Sequence, residues 1–244
     1  MRAAPFGRMV AAQTAMELRL TLRRGESLLL TLAIPLGLLA FFGTVDVAGA
    51  SIELLVPGIV ALAVMSTAMT GLAIATGFER QYGVLKRLGA TPLPRSGLLL
   101  AKTLSVLAVE ALQVALIVAL GAALGWRADA SLRVVVLVTV FVAVGTAAFA
   151  GLGLLMAGRL RAEATLAAAN GLYLVLLLVS GMVVPLAKLP SGLAAVARLL
   201  PSGALAEGLR SAFANQGQVV RPALVLACWA AGALAAAALT FRWE

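Results

Sequence analysis

Residues Glu79 to Leu93 read Glu-Arg-Gln-Tyr-Gly-Val-Leu-Lys-Arg-Leu-Gly-Ala-Thr-Pro-Leu, a short charged interruption between two long apolar runs. Glu79, Arg80, Lys86 and Arg87 alternate with Tyr82, Leu85 and Leu88 at helical spacing, which predicts a short amphipathic helix with a surface suited to a partner. Gly89 ends that helix, and Pro92 drives Thr91 out of the α region before the next helix begins.

The flanking runs set the class. With 62% hydrophobic and 12% charged residues in 244, and a mean hydropathy of +1.06, the chain is too apolar for a water-soluble domain. One span needs about 20 residues, so the expected fold is all-α, a polytopic membrane protein with about six transmembrane helices. A net charge of +9 without interleaved aromatics, which are only 5% of residues, argues against nucleic acid as a partner. The chain has no histidine and one cysteine, Cys228. That removes the usual general base, the usual zinc ligand and any intramolecular disulfide.

Residues 1–26 form the first region, in which Met9 to Arg24 is amphipathic: Ala11, Ala15, Leu18 and Leu22 share one face, Gln13, Glu17 and Arg24 the other. It reads either as a helix lying on the membrane surface or as a basic flank that fixes topology. Residues 27–241 form the six-helix domain. Its spans are expected at about Ser27–Val45, Leu54–Phe78, Leu98–Leu124, Val134–Ala157, Thr165–Val184 and Pro222–Phe241. Pro35 lies inside the first, and Asp46 and Glu53 mark the turn after it. Ala48 resembles part of a signal-peptide cleavage site, but the basic region ahead is too long for one, so an uncleaved span is preferred.

Gly121 and Gly125 lie four residues apart at the end of the third span, a spacing that permits close helix approach. Between the fifth and sixth spans, residues 185–220, Pro185, Pro190 and Pro201 break up two stretches, Leu193–Leu200 and Ala204–Ala214, each too short to cross a bilayer. They are expected to dip into or lie on the outer surface as a cap, either a gate held by Arg198, Glu207 and Arg210 or a fixed lid. With the N-terminus inside, inner segments carry 13 Lys and Arg, Lys102 among them, and outer segments carry 6, including Lys188 and Arg210. The positive-inside rule therefore places both termini and the Glu79–Leu93 stretch in the cytoplasm.

The second span carries Ser66, Thr67 and Thr70, hydroxyls that can bond within the helix or across to a neighbour, and three larger polar side chains stand out in later spans: Glu110, Gln113 and Asn170. Glu110 sits near the middle of the third, where an ionised carboxylate is costly. It either meets a cationic substrate or is protonated and bonded to Gln113, a neighbouring helix or a partner subunit. Asn170 in the fifth span has the same two readings.

Taken together, the amphipathic N-terminal helix, the six spans, the Glu79, Arg80, Gly83, Leu85, Lys86, Leu88, Thr91, Pro92 loop and the proline-broken outer segment resemble the ABC-2 family of ABC transporter permeases. The chain is similar in particular to the small drug-export type of the daunorubicin-resistance permeases. The resemblance implies a non-enzymatic transmembrane subunit in the plasma (inner) membrane. Its partners would be two copies of an ABC ATPase and a second permease chain, identical or not, and it would export an amphiphilic compound such as a drug, antibiotic or lipid.

The resemblance also makes 79–93 a coupling helix seated on the ATPase. Glu79 and Arg80 would begin it, Gly83 would allow close approach, Leu85 and Leu88 would be the apolar anchors, and Lys86 and Arg87 would meet acidic groups or lipid phosphates. Gln81 and Tyr82 stand where a second charged pair is frequent. No cofactor is expected on this chain, since it has no Gly-rich phosphate loop with its Lys-Ser/Thr pair; ATP and magnesium belong to the partner. The rival readings are an ion-coupled secondary transporter, which usually carries inverted repeats and several intramembrane ionisable groups, and a non-transporting assembly or signalling subunit.

Overall fold

The computed structural model describes residues 4–23, 25–45, 51–127, 129–182, 190–215 and 218–241. Of the features above, Arg24, Asp46, Ala48, Pro185 and Lys188 lie outside them.

The described residues are helical throughout their regular structure. The elements are α1 (Phe6–Arg23), α2 (Gly25–Thr44), α3 (Ile52–Met65), a π-helical segment (Ser66–Gly71), α4 (Leu72–Gln81), α5 (Val84–Gly89), α6 (Arg95–Ala123), α7 (Leu132–Ala157), α8 (Ala162–Val179), α9 (Ser191–Ala197), α10 (Pro201–Phe213) and α11 (Val220–Thr240). Five helices are long and apolar enough to cross a membrane: Ile52–Gln81, Arg95–Ala123, Leu132–Ala157, Ala162–Val179 and Val220–Thr240. The first of these runs continuously through α3, the π-helical segment and α4. The first expected span corresponds to α2, a 20-residue helix with Pro35 inside it.

The long helix Ile52–Gln81 and α7 are the inner members of the bundle, the ones with most of their apolar length buried inside the chain. Helix α7 packs on α11, α10, α4 and the π-helical segment. Small residues make this possible. A Cβ on Gly153 would lie 2.7 Å from the Met69 carbonyl oxygen in the π-helical segment, so the two backbones touch only because none is there. Of the Gly121 and Gly125 pair, only Gly121 packs, against Val56 and Trp126; Gly125 has a φ of 93° with nothing near its missing side chain, and it turns the chain out of α6.

Helix α10 packs into the bundle. Its residues Pro201 to Ala206, Gly208, Leu209 and Ala212 include nine that are buried, against α3, α7 and α11. Leu205 covers Gly145, roughly half-way along α7. Of the two expected dispositions, the amphipathic stretch thus dips into the bundle, because its alanine and glycine face fits the small-residue face of α7.

Helix α1 has the orientation opposite to that of a helix on a soluble protein. Val10, Gln13, Thr14 and Glu17 turn toward α6, while Ala11, Ala15, Met16, Leu20 and Leu22 are exposed. A polar inward face with an apolar outward face suits lipid as the outer medium. Cys228 is exposed on α11.

The glycine contacts carry a prediction. Gly153→Ala should destabilise the protein by about 1–3 kcal/mol through overpacking, whereas Gly171→Ala, with nothing within 4 Å of its Cβ position, should leave thermal unfolding in detergent unchanged or slightly raised.

Candidate functional site

At one end of the bundle, three helices meet around an ammonium. Lys102 on α6 is 1% exposed, and its Nζ lies 2.6 Å from Glu79 Oε2 on α4 and 3.1 Å from both carboxylate oxygens of Glu17 on α1. Gln13 Nε2 donates to Glu17 Oε1 at 2.8 Å, one turn back on α1. Burial of a lysine this deep holds only with paired carboxylates. Lys102, counted among the inner-segment charges, and Glu79, expected at the start of the coupling helix, both face inward here and link α1, α4 and α6. With the buried Lys102 set aside, the inner segments hold 12 Lys and Arg against 6 outside, still a twofold bias.

The neighbouring residues continue the clamp. Arg80 donates to the Leu160 carbonyl, and Gln81 Nε2 donates to Glu163 Oε1 at 2.9 Å, which ties the end of α4 to the turn between α7 and α8. Gly83, at φ 70°, then reverses the chain into α5. A Cβ there would meet nothing within 4 Å, so within this chain glycine is required by the left-handed turn and not by close packing. Helix α5 is six residues long, with Leu85 fully buried and Leu88 half-buried against the core. Thr91 Oγ1 donates to the Leu88 carbonyl at 2.6 Å and closes the turn before exposed Pro92.

Leu85 is fully buried and its side chain faces its own bundle. The outward surface of this end is Tyr82, 71% exposed and stacked on Phe78, with Val84, Lys86 and Arg87. The helical spacing that revealed an apolar side could not say which way it faced.

The three polar residues inside the spans separate into different environments. Gln113, on α6, donates from Nε2 to the Thr31 carbonyl of α2 at 2.9 Å and accepts from Thr67 of the π-helical segment at 3.1 Å. Glu110 is fully buried and meets Thr146 of α7, not Gln113. Thr146 Oγ1 lies within donating reach of both Glu110 Oε2 and, at 2.7 Å, the Val142 carbonyl, and Glu110 Oε1 is left without a partner. Asn170 on α8 donates to the Leu166 carbonyl one turn back and is otherwise exposed.

A cavity of about 500 Å³ opens between α1, α2, the π-helical segment, α4, α6 and α8. Lys102, Glu17, Glu79 and Asn170 line it; Glu110 and Gln113 do not. Sequence reasoning missed this assembly, although the hydroxyls of Ser66, Thr67 and Thr70 in an otherwise apolar run were its one visible sign.

At the opposite end, Arg210 of α10 donates to the carbonyls of Gly181 and, at 3.0 Å, Met182, capping the end of α8. Pro201 is the first residue of α10 and is buried, Glu207 is half-buried, and Arg198, just past α9, makes no ion pair with Glu207 among the described residues. Trp126 and Phe213 meet edge to face with centroids 5.1 Å apart. The Ser131 backbone N–H, assisted by the Asn215 amide, holds the exposed Asp129 carboxyl below the usual carboxylate range.

The fold defines a multi-pass helical membrane protein with a short exposed helix, α5, at one end and the buried short helix α10 at the other. Residues 10–214 match the family described as ABC-2 type transporter, and the chain belongs to that family. It is thus a membrane permease domain, the non-catalytic transmembrane part of a transporter, and permeases of this kind pair with ABC ATPase subunits. No curated protein gives a significant match over the chain.

The buried triad predicts an asymmetric response. Lys102→Met should cost about 3–5 kcal/mol by leaving two carboxylates unpaired in a mostly buried place, and adding Glu17→Gln and Glu79→Gln should restore most of the loss in detergent unfolding.

Proposed function

We propose that this chain is the permease subunit of an ATP-driven exporter that moves an amphiphilic compound, drug-like or lipid-like, out of the cell. Two such chains work with two ATPase subunits, which bind ATP and magnesium. The observation that carries the reading is the placement of α5. A short exposed helix is pinned by Leu85 to the bundle and continues, through Gly83, a 30-residue helix whose end is tied to α1, α6 and the α7–α8 turn. A push on such a helix moves the bundle instead of bending a loop.

The coupling contact is made by Tyr82, Val84, Lys86, Arg87 and the outer edge of Leu88, with Thr91 and Pro92 at its end. Leu85 transmits force within the chain. The excess of lysine and arginine at this end supports a plasma-membrane location with this end and both termini in the cytoplasm, α2 as the sixth span, and α10 at the outer face. There Arg210, bonded to the end of α8, serves as the latch of the outer gate, with Pro201 and Glu207 on the same re-entrant helix and Arg198 beside it.

Reconstitution with the cognate ATPase tests this directly. Tyr82→Ala with Arg87→Glu should lower ATP-driven efflux by at least about tenfold, equivalent to about 1.4 kcal/mol, while thermal stability is unchanged; Leu85→Asp should lower stability itself. Efflux that proceeds without any ATPase subunit would overturn the proposal.

A further inference from the structure

The cavity beside Lys102 is charged unevenly. Among the described residues that line it, the charged ones are Glu17, Glu79 and Lys102, two carboxylates against one ammonium. Lys102 is sealed at 1% exposure, whereas the Glu17 and Glu79 side chains keep 11% and 13%. The charge presented to the cavity is therefore carboxylate. Glu79 engages Lys102 through Oε2 alone, and the Gln13 amide bonded to Glu17 Oε1 brings no charge.

The rest of the wall has a matching character. Asn170 has its amide nitrogen on the Leu166 carbonyl, which leaves the amide oxygen as the group without an internal bond. Thr70 Oγ1 has no hydrogen-bond partner. Both are acceptors for an N–H donor. Ile34 and Val106 supply apolar surface, and about 500 Å³ lies within the range of drug-sized sites.

We propose that this cavity binds a hydrophobic monocation, its apolar body against α2 and α6 and its charge against the Glu17 and Glu79 carboxylates. Uncompensated charge in a low-dielectric wall attracts a counter-ion more strongly than the same charge in water. Lys102 sets the valence at one: it cancels one carboxylate and leaves the other. This names the cargo class within the export reading and rests on that reading for transport, though not for binding.

Tetraphenylphosphonium and tetraphenylborate, alike in size and opposite in charge, make the test. Protein-dependent binding to the full chain in lipid nanodiscs, above empty nanodiscs, should favour the phosphonium by at least about tenfold. Glu17→Gln should abolish most of that preference, and Arg133→Glu, exposed at the start of α7 and outside the cavity wall, should preserve it. Ile34→Trp, which fills the cavity without touching the charged groups, should block the phosphonium and serves where Glu17→Gln fails to fold. Equal affinities, a preference for the borate, or full phosphonium binding in Ile34→Trp would overturn the proposal. Charge-selective binding without ATP-driven efflux would leave the site standing and remove the export reading. Efflux of neutral amphiphiles with no charge preference would do the reverse.

Discussion

The pairing of the Lys102 ammonium with Glu17 and Glu79 is the constraint from which the α5 end of the molecule takes its shape. A lysine in the interior of a helical bundle demands compensation, and the compensation comes from two other helices. It explains why α1, which has an apolar face available, turns its polar face to the bundle. It also explains why α4 ends where it does: with Glu79 held inward, Arg80 and Gln81 reach the α7–α8 turn, and the chain must reverse at Gly83 before α5 can form.

The two ends of the bundle are built on different chemistry. One end is held by ions and long polar side chains that bridge helices through oriented, distance-sensitive bonds. The other is held by shape, with α10 seated on the glycine and alanine face of α7 and Arg210 tying it to the carbonyls at the end of α8. Between them lie Gln113, which bridges α2 and the π-helical segment, and Glu110, which bonds to Thr146. Gln113 and Glu110 thus join particular helices, as expected where lipid offers no competing bonds, whereas Asn170 bonds within its own helix.

What the sequence made legible follows from what hydropathy and charge can encode. Five of the expected spans lie within a few residues of the observed helices, because long apolar runs bounded by charged turns admit few alternatives. The resemblance to the ABC-2 family was carried by the Glu79–Leu93 loop together with the order of elements, and the family match covers that loop. What was not legible was direction. Periodicity gave Leu85 and Leu88 a common face and α1 an apolar stripe, but a membrane protein has two apolar surroundings, its own core and the lipid, and spacing does not distinguish them. Nor did it mark Lys102, since a lysine 23 residues from its partner Glu79 and 85 from Glu17 leaves no local pattern.

The π-helical segment at Ser66–Gly71 bears on how this long helix tolerates change. A π-turn holds one residue more than an α-turn, and each residue in a helix advances its face by about 100°. Everything beyond Gly71, including the carboxylate of Glu79, owes its angular phase to that extra residue, while Gly153 of α7 rests on the backbone of the same turn. The length of Ile52–Gln81 is therefore a counted quantity. Substitutions along it alter size and polarity one side chain at a time, but a change in residue number would turn one end of the helix against the other.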